Sequence, residues 1–249
     1  MGLLSERLAA VARYVEPGSI VADIGTDHAY LPVYLVTAGI CPRIVASEVN
    51  QLPYLSALKT VEEHGLSGRI SVRQGDGLTI LRPGEVNTVV IAGMGGTTIQ
   101  QILGKSAPAL QGVKRLILQP MVGAKTLRQW LLTNGWQIID EQLVAEDDFL
   151  YVIIVAERGQ QSIDDELLLE IGPVLWRKKD PLLAKYLQRQ IEHLEKVKIE
   201  LTRGRTHRAV NKQDEISQHI ERMRRMLLDV TSMSGHNQPA GRTGSPDLG

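Results

Sequence analysis

The sequence predicts an α/β fold: a doubly wound, mostly parallel sheet with an antiparallel last strand, followed by a helical coiled-coil domain. Three observations carry that expectation. Short apolar runs recur between helical segments from Ile20 onward, as buried strands do when both faces of a parallel sheet are covered. Several of these runs end on an acid or a glycine, at Asp23-Ile-Gly25, Glu48, Gly75-Asp-Gly77 and Gly93. Past Ser162 the strand signal stops and apolar residues step by four and three, the seam of paired helices.

Taken in order, Leu4, Leu8, Val11, Ala12 and Val15 lie on one face of a helix from Leu3 to Val15. The opening strand, Ile20 to Ile24, leads through Gly25 to a helix from Tyr30 to Ala38, with Pro32 in its first turn and Gly39 closing it. Strands follow at Arg43–Glu48, Arg69–Gln74, Asn87–Ala92 and Lys114–Gln119, separated by helices at Gln51–His64 and Thr97–Leu103. A helix from Ala124 to Thr133, closed by Asn134-Gly135, precedes two strands, Trp136–Val144 and Phe149–Ala156, joined as a hairpin by Ala145-Glu-Asp-Asp148. This succession matches a Rossmann-like class I methyltransferase sheet; right-handed crossovers favour the doubly wound layout, and the order of strands stays open. The expected division is a catalytic domain over 1–160, a helical hairpin over 161–230, and a disordered Gly/Ser/Pro-rich tail over 231–249. The hairpin pairs Leu183, Leu187, Gln190, Leu194, Val197 and Leu201 with Ile216, Ile220, Met223 and Leu227, reversing at Arg203–Arg208.

The glycine turn has to be told apart from a dinucleotide site, which needs Gly-x-Gly-x-x-Gly around a pyrophosphate. Here Asp27 and Tyr30 hold the second and third glycine positions, and a carboxylate would repel the phosphates. S-adenosylmethionine has no phosphate; its sulfonium, ammonium and ribose hydroxyls favour acids. Asp23 and Gly25 are therefore assigned to that cofactor, with His28 beside them. Glu48, 23 residues after Gly25, stands where an acid grips ribose hydroxyls in this topology. Asp76 and Gly77 flank the adenine, and Gly93 and Met94 floor the space between cofactor and substrate. The plainer alternatives are that Asp23 and Asp27 only cap the next helix, that Glu48 is a surface acid, and that Gly-Asp-Gly is only a turn.

Composition narrows the class. The chain has 249 residues and one cysteine, so no disulfide framework or cysteine zinc cluster is available, and the six histidines form no metal pattern. No secretion segment or membrane-length apolar run is seen, so a cytoplasmic protein without membrane or metal, a monomer or weak homodimer, is expected. The net charge of zero hides an imbalance: up to Leu175 there are 13 Lys+Arg against 19 Asp+Glu, and from Trp176 to Val230 there are 14 against 8. A basic half suggests a polyanionic partner, with Arg177, Lys178, Lys179, Lys185, Arg189, Arg203, Arg205 and Arg208 as candidate contacts. They also suit an ordinary solvated face.

Asp23-Ile-Gly-Thr-Asp-His-Ala-Tyr-Leu-Pro32, Ala92-Gly-Met-Gly-Gly96 and Leu118-Gln-Pro120, with the helical C-terminal part, resemble the bacterial tRNA (adenine-22-N1)-methyltransferases over roughly residues 1–230. The resemblance implies S-adenosylmethionine as donor and an adenine of the tRNA D-loop region as substrate. Where that family usually has Asn after Gln-Pro, this chain has Met121. Adenine N1 has a free lone pair at neutral pH, so the enzyme's work is alignment. Asp27 is the catalytic candidate, accepting from the adenine amine as positive charge moves onto the base. An adenine in folded RNA must also be exposed before N1 can react. Competing readings are methylation of another RNA, a protein or a small molecule, and an RNA-binding scaffold without activity.

Overall fold

The computed structural model describes residues 4–202 and 207–234, with side chains over 4–201 and 211–232. Two compact units emerge, Met1–Asp180 and Pro181–Gly249.

In the first unit, helix α1 (Glu6–Ala12) is capped by Ser5, whose hydroxyl accepts from the Leu8 N–H. Seven strands then alternate with helices: β1 (Val21–Ile24), α2 (Tyr30–Thr37), β2 (Ile44–Glu48), α3 (Gln51–Glu63), β3 (Ile70–Gln74), β4 (Thr88–Met94), α4 (Gly96–Lys105), β5 (Arg115–Pro120), α5 (Ala124–Thr133), β6 (Trp136–Glu146) and β7 (Phe149–Arg158). The sheet order is β3-β2-β1-β4-β5-β7-β6, with β7 antiparallel to both of its neighbours. The doubly wound reading with an antiparallel last strand therefore holds. The chain runs outward from β1 through β2 to β3, then crosses back past β1 to β4 and β5; right-handed crossovers in the two directions put helices on both faces of the sheet. β1, β2 and the start of β4 are buried throughout, which is why they read as continuous apolar runs. The reversal between β1 and β4 opens a crevice at the carboxyl ends of the strands, where ligands bind in open α/β sheets.

β4 runs past its expected end at Ala92. Its register against β5 shifts between Ala92 and Met94, with Gly93 at φ +78° as the extra residue. A residue with a Cβ rarely adopts that conformation, and the bulge re-aims the strand end at the crevice.

The boundary expected at residue 160 lies instead at Asp180, because α6 (Glu166–Ile171) and α7 (Pro173–Lys178) belong to the sheet unit. Glu141 of β6 and Arg128 of α5 are fully buried and pair at 2.6 Å. Arg128 also donates to the carbonyls of Leu169 and Glu170, and Glu141 accepts from the N–H of Val174. Unbonded, those groups would be costly to bury, so they tie both short helices down.

The second unit holds α8 (Leu183–Thr202) and α9 (His207–Ser234). Their contacts run in opposite senses: Glu195 meets Arg224, while Ile199 shares a groove with Ser217 and Ile220. Leu183, Leu187 and Ile191 are buried on α8, and Ile216, Ile220, Met223 and Val230 on α9. Ile191 takes the place expected for Gln190, half-buried beside it. Helix α9 continues to Ser234, past the expected tail start at 231, and the remainder of that tail lies outside the described residues. Among the described residues, no helix is long and apolar enough to cross a membrane.

Candidate functional site

The carboxyl ends of β1, β2 and β3 are laced to one another by backbone bonds. Gly25 and Thr26 donate to the Ser47 carbonyl at 2.8 and 3.0 Å, and Gly75 donates to the Glu48 carbonyl at 3.0 Å. Between these ends and α4 lies an open cleft of about 180 Å³, lined by Gly25, Glu48, Asp76, Gly77, Met94 and Ile102 among others. Five of the residues assigned to the cofactor from sequence thus face one space.

Gly25 sits at φ +73°, and a Cβ there would fall on the Met94 methyl. The glycine leaves a ligand room to approach the backbone. Asp23 lies behind it, buried, with Thr26 Oγ1 donating to its Oδ2 at 2.6 Å. Burial pushes its pKa up to about 6; the Thr26 hydrogen bond opposes that rise and the Glu48 charge adds to it. Among the described residues no cation pairs with Asp23. Glu48, also buried, spends Oε1 on the N–H groups of Val49 and Asn50 at 2.9 and 3.0 Å. Those amides lie in the turn just before α3, so the backbone there fixes one carboxylate oxygen, and among the described residues Oε2 carries no bond to the protein. Asp76 is exposed and lies 3.6 Å from Lys105 Nζ, a contact water screens strongly.

Gly93 neighbours Met94 on the bulge and is exposed. Asp27 and His28 do not line the cleft. They occupy the exposed β1–α2 turn, where Asp27 has φ +53° and a side chain 67% exposed, 3.6 Å from His28. His28 Nδ1 shares a 2.6 Å hydrogen bond with Ser56 Oγ and its ring stacks on Tyr30. Neither acid caps α2, whose N-cap is Ala29 in a left-handed conformation without a side-chain bond. The capping alternative for Asp23 and Asp27 is therefore excluded.

Two residues at this edge have no role in the sequence reading, although Gln119 stands in the Leu118-Gln-Pro120 motif. Gln119, at the end of β5, is fully buried, and Arg7 of α1 donates to its Oε1 at 2.6 Å. The signal for Gln119 was a polar residue closing an apolar run; Arg7, 112 positions away, offered none.

Of the candidate tRNA contacts, Arg177, Lys178 and Lys179 fall in the sheet unit rather than on the helical pair. Lys178 pairs with Asp140 at 2.9 Å, and Lys179 lies 4.1 Å over the Trp176 ring, so both cations have local uses. Lys185 is exposed and Arg189 half-buried on α8. Arg203, Arg205 and the Arg208 side chain lie outside the described residues. A depression of about 250 Å³ at the opposite edge of the sheet contains Arg69 and Arg73. Arg69 donates to the carbonyls of Cys41 and Pro42, and Arg73 pairs with Glu85, so their charges serve the fold. Among the described residues, no group of three His, Cys, Asp or Glu is placed to hold a metal ion.

Residues 21–225 match the family described as tRNA (adenine(22)-N(1))-methyltransferase. The Bacillus subtilis (strain 168) protein of that name is 36% identical over 230 residues, covering 90% of this chain and 97% of its own length. A Streptococcus pneumoniae protein crystallised with S-adenosyl-L-methionine superposes with a TM-score of 0.81 at 36% identity, over 90% of this chain and 99% of its own. The M. capricolum TrmK, solved with S-adenosyl-homocysteine, superposes with a TM-score of 0.76 at 32% identity, over 92% and 99%. The sheet is likewise that of Rossmann-like methyltransferases.

Proposed function

The chain belongs to the tRNA (adenine(22)-N(1))-methyltransferase family, and on that footing we propose that it transfers a methyl group from S-adenosylmethionine to N1 of adenine 22 of tRNA. Asp23 carries this reading on the structural side. A buried carboxylate that no cation neutralises among the described residues costs free energy, and a cationic ligand at the neighbouring glycine turn would offset it. When bound, S-adenosylmethionine supplies a methyl group activated by its sulfonium.

The chain's own groups then divide the work. Asp23 holds the ligand's positive end. Glu48 offers Oε2 to the two ribose hydroxyls, its other oxygen being fixed by the backbone of Val49 and Asn50. Asp76, once released by Lys105, and Gly77 flank the adenine, and the backbone of Gly25 and Gly93 with the Met94 side chain bounds the reacting space. His28 orders the turn through Ser56 and Tyr30. Asp27, exposed at that turn, accepts from the amine of the target adenine as N1 takes on positive charge. No group has to remove a proton from N1 before attack, so positioning is the main contribution.

We read α8 and α9 as an antiparallel coiled coil that docks tRNA through Lys185, Arg189, Arg203, Arg205 and Arg208; Arg177, in the sheet unit, is a separate candidate contact. A cytoplasmic enzyme, monomeric or weakly dimeric, fits that substrate. The test is methyl transfer to a transcript with adenine at position 22, mapped by mass spectrometry of its digest. One methyl on that base, and none when guanine replaces it, is the expected result. Uptake of the donor without transfer to tRNA would overturn the substrate assignment.

A further inference from the structure

We propose that Gln119 donates a hydrogen bond to the substrate base and that Arg7 is the positioning residue that fixes its amide; both statements rest on the reaction assigned above. Gln119 Oε1 accepts from Arg7 Nη1 at 2.6 Å and from the Gly93 N–H at 2.9 Å. An amide oxygen has two lone pairs, so both are in use. Turning the amide over would set its NH2 group against two donors and break both hydrogen bonds. Its orientation is therefore determined.

Arg7 is anchored in turn. Its backbone N–H donates to Glu146 Oε1 at 3.2 Å, its Nε lies 3.5 Å from Glu146 Oε2, and its guanidinium sits 5.5 Å from the Tyr151 ring centre. Helix α1 and the β6–β7 hairpin thus converge on the end of β5.

What remains is the NH2 group. Among the described residues Gln119 Nε2 has only Met121 Sδ, at 3.7 Å, a weak acceptor on a residue 47% exposed. A residue needed only to tie Arg7 to Gly93 would require an acceptor and no donor. Met121 is half in solvent and would be displaced by the base; its backbone is tied to the bulge, the Met121 N–H donating to the Met94 carbonyl at 2.8 Å. A donor at this place reads a ring nitrogen of adenine, N3 or N7. The exocyclic amine, itself a donor, is left to a carboxylate such as Asp27.

The decisive variant is Gln119→Glu. It keeps an oxygen for Arg7 and Gly93 and adds a charge that Arg7 balances, but it removes the donor. Turnover on the tRNA transcript is expected to fall about 10- to 100-fold, with donor affinity by calorimetry and the thermal midpoint both near wild type. Arg7→Gln should lower turnover in the same way, and Arg7→Lys should restore part of it. Transcripts with 3-deaza- or 7-deazaadenosine at the target need no variant. Both replacements make N1 more basic, yet the wild-type enzyme should lose turnover on one of them and Gln119→Glu should be indifferent to that change. Gln119→Glu turning over at the wild-type rate, or a wild-type enzyme indifferent to both analogues, overturns the proposal. A wild-type enzyme that methylates no tRNA would instead overturn the function on which it rests.

Discussion

Arg128 and Glu141 meet at 2.6 Å with neither side chain exposed, whereas Arg224 and Glu195 meet at the same 2.6 Å on the helical pair with 54% and 42% of their side chains in water. The lengths are equal and the energetic consequences are not. In water the attraction is screened, and freezing two long side chains offsets what remains. In the interior neither partner can be removed without stranding the other. The same contrast runs through the functional residues. Asp23 and Glu48 are buried acids, each held by specific local hydrogen bonds, while Lys185 is an exposed cation on α8. Buried charge concentrates an effect in one residue; exposed charge spreads it over many.

Arg128→Met should break the buried side of this contrast most severely. It leaves Glu141 unpaired, and the urea midpoint should fall by the equivalent of about 3–5 kcal/mol with little change in slope.

Asp23→Asn should move stability the other way. The folded-state pKa of Asp23 is raised from 3.8 to about 6, so the folded protein binds that proton more tightly than the unfolded chain. The ionised carboxylate then costs nothing below the unfolded value, and its cost is fully present once pH has risen through 6. The variant should be more stable at pH 8, by up to about 3 kcal/mol, with the two melting curves converging below pH 4. Donor affinity should show the opposite dependence: the wild type loses affinity as pH falls through about 6, and the variant is weak throughout.

Glu48→Ala, read by calorimetry, should reduce donor affinity about 100-fold through loss of two charge-assisted hydrogen bonds. An unchanged affinity would remove Glu48 from the ribose. On the exposed side, Lys185→Ala should leave donor affinity alone, raise KM for tRNA a few-fold and lower the slope of log affinity against log salt by about one. Arg224→Met should change stability by about 1 kcal/mol or less; a larger loss would mean that exposure does not set the contribution of that pair.

The legible parts were those encoded by neighbours in the chain. The apolar runs ending at Asp23, Glu48 and Gly93 marked strands and their ligand-facing ends, because alternation, burial and turn chemistry act over a few residues. The end of the sheet unit was misjudged because α6 and α7 look like any short helices. Only their capture by Arg128 and Glu141 assigns them to the sheet. Asp27 and His28 read as close companions of Asp23 in sequence, yet the left-handed turn puts Asp27 in solvent and leaves Asp23 buried.

By itself the sequence determined the alternation of strands and helices, the acids at the strand ends, a cofactor without phosphate, and the charge imbalance between the halves. Each of these depends on residue type and short spacing. Tertiary structure alone decided the strand order, which acids lost their water, the boundary at Asp180 and the Arg7–Gln119–Gly93 contact. Those depend on which distant segments exclude solvent together, and that is fixed only when the chain closes on itself.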